Sequence, residues 1–242
     1  MFTNRSLSYG WLSAVIDLVA LDIAGTTIDD HGSVYVALRR SVEETGATVD
    51  TADLQKWMGA DKTEAISALM RLGGQNPEPS VVGAAFERFR TILGELYDDQ
   101  PPVVLPGVAE AIRTLRDRGI RIALTTGFTD DVAGPLLESV GWTVGAGDEH
   151  LLDAVVTTSQ VRAGRPAPYL IQHAMELTGV TDVRRVLAAG DTIVDLQAAH
   201  NAGVIGVGVL TGQLTRTQLA AHPHDHILES VAALPGLPET RE

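Results

Sequence analysis

The 242-residue sequence contains no cysteine. Disulfides, thiolate metal sites and a cysteine nucleophile are therefore excluded. Positive charge is scarce as well: 18 Lys and Arg stand against 31 Asp and Glu, a formal net charge of −13. A surface of that sign repels polyanions, which argues against nucleic acid and anionic membranes as partners. Long hydrophobic runs are missing too. The apolar stretch near the start is broken by Ser13 and Asp17, and no small-residue cleavage pattern follows it. Nothing approaches the ~18 apolar residues that span a bilayer, so a cytoplasmic protein is expected. What remains, 45% hydrophobic and 20% charged residues, is the balance of a folded chain and not a disordered one.

Short apolar runs recur along most of the chain: Ile16–Leu21, Gly119–Leu124, Ala154–Val156, Val186–Ala189 and Val204–Val209. Continuous runs of this length suit strands buried on both faces, as in parallel sheets. Amphipathic stretches lie between them at Val108–Arg118, Asp130–Val140, Pro168–Thr178 and Val194–Asn201, the last closed by Gly203. Strand and helix in alternation predict an α/β fold with a doubly wound, mainly parallel sheet. From Asp29 to Pro102 the rhythm changes to helix-period patterns alone, over Val34–Thr45, Thr51–Met58, Lys62–Leu72 and Val81–Leu96. About 70 residues are too many for a βα loop. The expected organisation is an α/β core over 15–28 and 103–235, an α-helical cap domain over 29–102, and an N-terminal extension over 1–14.

In an open α/β sheet, ligands bind beyond the carboxyl ends of the strands. Asp22, Thr126-Gly127 and Asp191 stand at three such ends, with Asp195 four residues after Asp191 and Arg165 in a loop ahead of a helix. Asp22 and Asp191 offer the hard oxygens that Mg²⁺ prefers. Thr126, the Gly127 amide and the Arg165 guanidinium suit phosphoryl oxygens, and an aspartate is a competent nucleophile toward phosphorus. Each feature alone has a plain alternative: an Asp at a strand end caps a helix, and an Arg before Pro is solvated. Together they point to a phosphate held beside a cation.

These residues, within LDIAGT, LTTG, GRP and GDTIVD, resemble the haloacid dehalogenase superfamily over about residues 15–230. Three details resemble its phosphonatase branch: Ala24 where most members carry a second acid, Arg165 where most carry lysine, and Met58-Gly59 ahead of Lys62. That resemblance implies a Mg²⁺-dependent hydrolase that cleaves the C–P bond of phosphonoacetaldehyde or a close relative. Lys62 would form a Schiff base and Asp22 an aspartyl phosphate. Mg²⁺ would be held by Asp22, the Ala24 carbonyl and Asp191, with Asp195 in support. Thr126, Gly127, Arg165, Met58, Gly59 and Phe128 would face the substrate.

Two positions depart from the branch. Ala65 stands where its members carry a histidine, and Phe128 where they carry tyrosine, so a related substrate fits the sequence as well. The alternative function is a phosphatase of a small phosphate monoester, which Ala24 disfavours, because losing a general acid costs roughly 10²–10⁴ in rate. Without the motif around it, Lys62 would read as an exposed helix lysine beside Asp61 and Glu64. Thr26 and Thr27 are expected to shape their turn by local hydrogen bonds. His31 lies in the linker. His222, His224 and His226 read as a surface loop entering a last strand. The small-molecule substrate is the expected partner, with a homodimer through the cap implied by the resemblance.

Overall fold

The computed structural model describes residues 15–145, 147 and 150–241, so the extension expected over 1–14 lies outside the described residues. Six parallel strands form the main sheet: β1 (Leu18–Leu21), β4 (Arg121–Thr125), β5 (Ala154–Val156), β6 (Val186–Gly190), β7 (Ile205–Val209) and β8 (His226–Leu228). Their spatial order is β5-β4-β1-β6-β7-β8. From β1 the chain builds outward on one side through β4 and β5, then returns to build the other side from β6. The strand order thus reverses at β1, which opens a crevice at its carboxyl end.

Residues of β1 alternate between the two faces, as the period of a strand requires. Val19 and Leu21 join one apolar cluster, while Leu18 and Ala20 join another that includes Ala123, Ala188 and Leu170. Helices cover both faces. They are α5 (Val108–Asp117), α6 (Asp130–Ser139), α7 (Tyr169–Thr178) and α8 (Ile193–Ala202), with the short α9 (Arg216–Ala220) near β8. The pattern in α5 is the clearest: Val108, Ala111, Ile112 and Leu115 are buried, at helix spacing, and the polar face is left to solvent. α8 stops at Gly203, whose φ of 71° is the left-handed C-terminal turn expected of a glycine there.

Between β1 and β4 lie four helices: α1 (Ser33–Glu43), α2 (Thr51–Trp57), α3 (Lys62–Leu72) and α4 (Pro79–Asp99). α1 packs on α4 and α3, and its apolar residues merge with those of the sheet face. The helical reading of this segment holds, except that it overlooked strands at both edges. Ile28–Asp29 (β2) and Val103–Val104 (β3) pair antiparallel and bracket the four helices. Two residues are too few to leave a periodic signature, so only pairing across 74 positions reveals them. No helix among the described residues is long and apolar enough to cross a membrane.

Candidate active site

The crevice beyond β1 holds a cavity of about 210 Å³. Asp22 enters it directly after β1, held in place because its N–H donates to the Ala189 carbonyl (2.9 Å) and extends the ladder by one rung. The following turn is tied by three N–H groups, of Thr26, Thr27 and Ile28, all donating to the Ile23 carbonyl. Thr27 behaves locally, as expected, and donates from Oγ1 to the Asp22 and Ile23 carbonyls. Thr26 does not. Its Oγ1 donates to Asp191 Oδ1 (2.8 Å), a contact across 165 positions that no local turn rule supplies.

β6 delivers Asp191 to the same cavity, and the buried Asp22, Asp191 and Asp195 bring carboxylate oxygens within 4.8 Å of one another. Burial, then Asp22 and Asp195, push the Asp191 pKa well above the usual carboxylate range. Three crowded acids of this kind call for positive charge. The space around Asp191 is also kept clear on purpose: a Cβ at Gly25, where φ is 84°, would come within 2.7 Å of Asp191 Oδ2. Asp22 and Asp191, with Ala24 beside them in the cavity lining, have the hard-oxygen chemistry of a Mg²⁺ site. Asp195 has other work. It completes a capping box at the start of α8, accepting from the Thr192 N–H (3.0 Å) and hydroxyl, and its other oxygen meets Arg165 Nε at 2.9 Å.

Arg165 lies beneath Asp22 and does not line the cavity. The expectation that it holds phosphoryl oxygens meets a different set of partners: Nη1 donates to Asp22 Oδ1 (2.6 Å), and Nη2 to the Thr125 carbonyl and hydroxyl (2.7 and 2.8 Å). The guanidinium fork thus fixes the orientation of two carboxylates at once. Thr125, the last residue of β4, is a supporting residue that the sequence did not single out. Thr126 and Gly127 do line the cavity. Thr126 Oγ1 accepts from the Phe128 N–H (3.1 Å), which leaves its own O–H to donate.

The opposite wall comes from the helical segment. Met58 and Gly59, in the loop between α2 and α3, line it together with Lys62, the first residue of α3. Asp61 caps that helix by accepting from the Glu64 N–H (2.9 Å). The loop lies hard against the core: a Cβ at Gly127 would overlap the Ala60 carbonyl and approach the Gly59 carbonyl to 2.7 Å. Reciprocally, a Cβ at Gly59 (φ 79°) would meet Thr192 Oγ1 at 2.5 Å. This close seating carries Lys62 into the interior, where it is only 3% exposed. Its Nζ donates to the Ala60 carbonyl (3.0 Å) and stands 5.4 Å from the centre of the Phe128 ring. Burial pulls the Lys62 pKa down to about 8, against the opposing pull of Asp22 and Asp61.

Every sequence-derived site residue except Arg165 and Asp195 therefore lines one cavity. The arrangement combines two carboxylates, a hydroxyl donor and a buried amine of lowered basicity. A family model, haloacid dehalogenase-like hydrolase, matches residues 16–203. The chain belongs to that family. A phosphonoacetaldehyde hydrolase of Bacillus cereus is 32% identical over 88% of this chain and 83% of its own. A second, from Parabacteroides distasonis, is 31% identical over 80% of this chain and 76% of its own. Among solved structures, a hydrolase from Pseudomonas syringae superimposes with a TM-score of 0.81 at 20% identity, covering 91% of this chain and 96% of that one. A phosphonoacetaldehyde hydrolase-like protein from Oleispira antarctica gives 0.76 at 21% identity, covering 93% and 91%. Those likenesses establish the haloacid dehalogenase-like fold.

Residues outside the motifs also reach the cavity. Tyr35 does so from α1, Asp29 from the end of β2, Asp30 and His31 from the linker after it, and Gln213 from the loop after β7. His31, with φ at 57°, sets Nε2 against the Pro101 carbonyl (3.3 Å) and Nδ1 3.5 Å from Asp29 Oδ2, joining the two linkers of the helical segment. No spacing in the sequence marks these residues, because each arrives through packing of elements distant in the chain. The three C-terminal histidines stay apart from this site: His224 meets the His222 carbonyl, and His226 meets Glu239 at 3.2 Å.

Proposed function

We propose that this hydrolase cleaves the carbon–phosphorus bond of phosphonoacetaldehyde or a close relative, with helices α1–α4 acting as a cap over the core. The observation that carries this reading is Lys62: a buried amine in the cavity of Asp22, with its pKa near 8. Close to neutral pH a usable fraction of such an amine is unprotonated and nucleophilic. Similarity to enzymes named phosphonoacetaldehyde hydrolase supports the same substrate class.

Lys62 Nζ attacks the aldehyde carbon, the oxygen takes one proton from the amine and one from solvent and leaves as water, and an iminium remains on the lysine. The Asp22 carboxylate, oriented by Arg165, then attacks phosphorus in line. The electron pair of the breaking C–P bond delocalises into the iminium and gives an enamine, so no free carbanion forms. The enamine takes a proton at carbon, and water hydrolyses both the aspartyl phosphate and the acetaldehyde imine. Thr126 and the Gly127 amide hold the phosphoryl oxygens. Mg²⁺ at Asp22, the Ala24 carbonyl and Asp191 would neutralise charge between these acids and the phosphoryl group. Ala24 is no handicap here, since an enamine needs no acid at that position. An alkyl phosphate does need one, and for that reason the phosphatase reading ranks second.

The test is release of acetaldehyde and phosphate from phosphonoacetaldehyde with Mg²⁺, by the wild type and by Lys62→Arg. Equimolar products that vanish in the variant are expected. Turnover of alkyl phosphates without acetaldehyde release from phosphonoacetaldehyde would transfer the assignment to a phosphatase.

A further inference from the structure

We propose that the Tyr35 hydroxyl binds the substrate oxygen at the end remote from phosphorus, and so selects two-carbon phosphonates that carry an oxygen on the second carbon. The inference rests on the phosphonate reading above for its substrate class and adds a residue that no motif marks. Tyr35 stands in the first turn of α1, facing the cavity of Asp22 and Lys62. That turn is fixed by Asp30, whose carboxylate accepts from the Gly32 N–H (3.2 Å) and the Val34 N–H (2.8 Å). Among the described residues the Tyr35 hydroxyl has no hydrogen-bond partner, although most of the side chain is covered. A phenol held in that way offers a donor at little ordering cost.

Of the other hydroxyls lining the cavity, Thr126 is given to the phosphoryl group and two are committed within the protein. Thr192 Oγ1 donates to Asp195, and Thr211 Oγ1 to the Gly25 carbonyl (2.6 Å). His31 is engaged with Pro101 and Asp29, and Gln213 sits exposed at the rim. Met58 and Phe128, the groups beside Lys62, carry no side-chain donor. With the phosphoryl group on Thr126 and Gly127 and the carbonyl carbon at Lys62, Tyr35 is the cavity hydroxyl left free to donate to the remaining oxygen. Burial and the Asp191, Asp30 and Asp195 carboxylates push the Tyr35 pKa well above the ordinary phenol range. The hydroxyl is therefore protonated near neutral pH and available as a hydrogen-bond donor.

Equilibrium binding to the Mg²⁺-loaded protein separates this contact from catalysis. The probes are 2-hydroxyethylphosphonate and ethylphosphonate, which differ by the oxygen in question. In the wild type the hydroxylated probe should bind roughly 5- to 10-fold more tightly, the worth of one neutral hydrogen bond. In Tyr35→Phe that advantage should fall below about twofold, with ethylphosphonate affinity unchanged. An advantage that survives in the variant, or equal affinities or no measurable binding in the wild type, would overturn the proposal. So would a parallel loss for both probes, which marks a packing role. Absence of C–P cleavage with the advantage intact would instead overturn the activity and leave the Tyr35 contact standing.

Discussion

Arg165 on the floor of the site and Lys62 on its roof are equally buried, each 3% exposed, yet their surroundings are opposite. Arg165 meets Asp22 and Asp195 at 2.6 and 2.9 Å and the Thr125 carbonyl and hydroxyl besides. Lys62 meets one carbonyl and the face of a phenyl ring. A paired guanidinium keeps its charge, and it holds two acids still. An ammonium with so little compensation is destabilised by burial, which favours the neutral amine. The comparison shows that partners, and not depth, decide whether a buried cation holds its charge.

The strongest way to break the contrast is Arg165→Met. It strands Asp22 and Asp195 without their cation and should cost about 3–5 kcal/mol of stability, measured by urea unfolding. A loss under ~1 kcal/mol would mean the acids are not held by Arg165. Lys62→Met tests the other side and should do the reverse. Removing a charge whose pKa drops from 10.5 to about 8 on folding should stabilise the protein at pH 7 by about 3 kcal/mol, while C–P cleavage is lost. Equal or lower stability would refute the unfavourable burial.

The same difference has a pH signature. The folded-state pKa of Lys62 lies below the unfolded value, so the unfolded chain binds more protons between about pH 8 and 10.5. The penalty is full below pH 8 and disappears as pH rises through that window. The stability gap between wild type and Lys62→Met should therefore shrink from pH 7 to 10, and the rate of imine trapping by borohydride should rise through pH 8. A flat trapping profile would count against Lys62 as the amine.

Gly127→Ala sharpens the contrast from the core side. The added methyl meets the Gly59 and Ala60 carbonyls and should displace the loop that carries Lys62. The expected result is a roughly 10–100-fold loss of kcat/KM, as for a small misplacement of reacting groups, with the trapping inflection moved above pH 8. The smallest effect is expected of Phe128→Leu. Losing the ring beneath Nζ should weaken the ammonium by about 0.5–2 kcal/mol and shift the trapping inflection slightly downward.

Much of the core is legible in the sequence. Strand-length apolar runs, helix spacing and the acids at strand ends are local signals, and Asp22, Thr126 and Asp191 reach one cavity as those signals imply. The two-residue strands β2 and β3 were not readable, being too short to show a period. Nor was the role of Thr26, whose turn position suggested a local bond while its hydroxyl reaches Asp191.

The sequence by itself determined the order of strands and helices and the set of reactive side chains, because backbone propensity and apolar periodicity act over a few residues. Tertiary structure alone decided how those side chains behave. The Arg165–Asp22 pair spans 143 positions, Lys62 is desolvated by a loop pressed onto Gly127, and Tyr35 enters the cavity from α1, whose first turn Asp30 ties down. Charge state and hydrogen-bond availability depend on what lies within a few ångströms in space, and that neighbourhood is set by packing between distant parts of the chain.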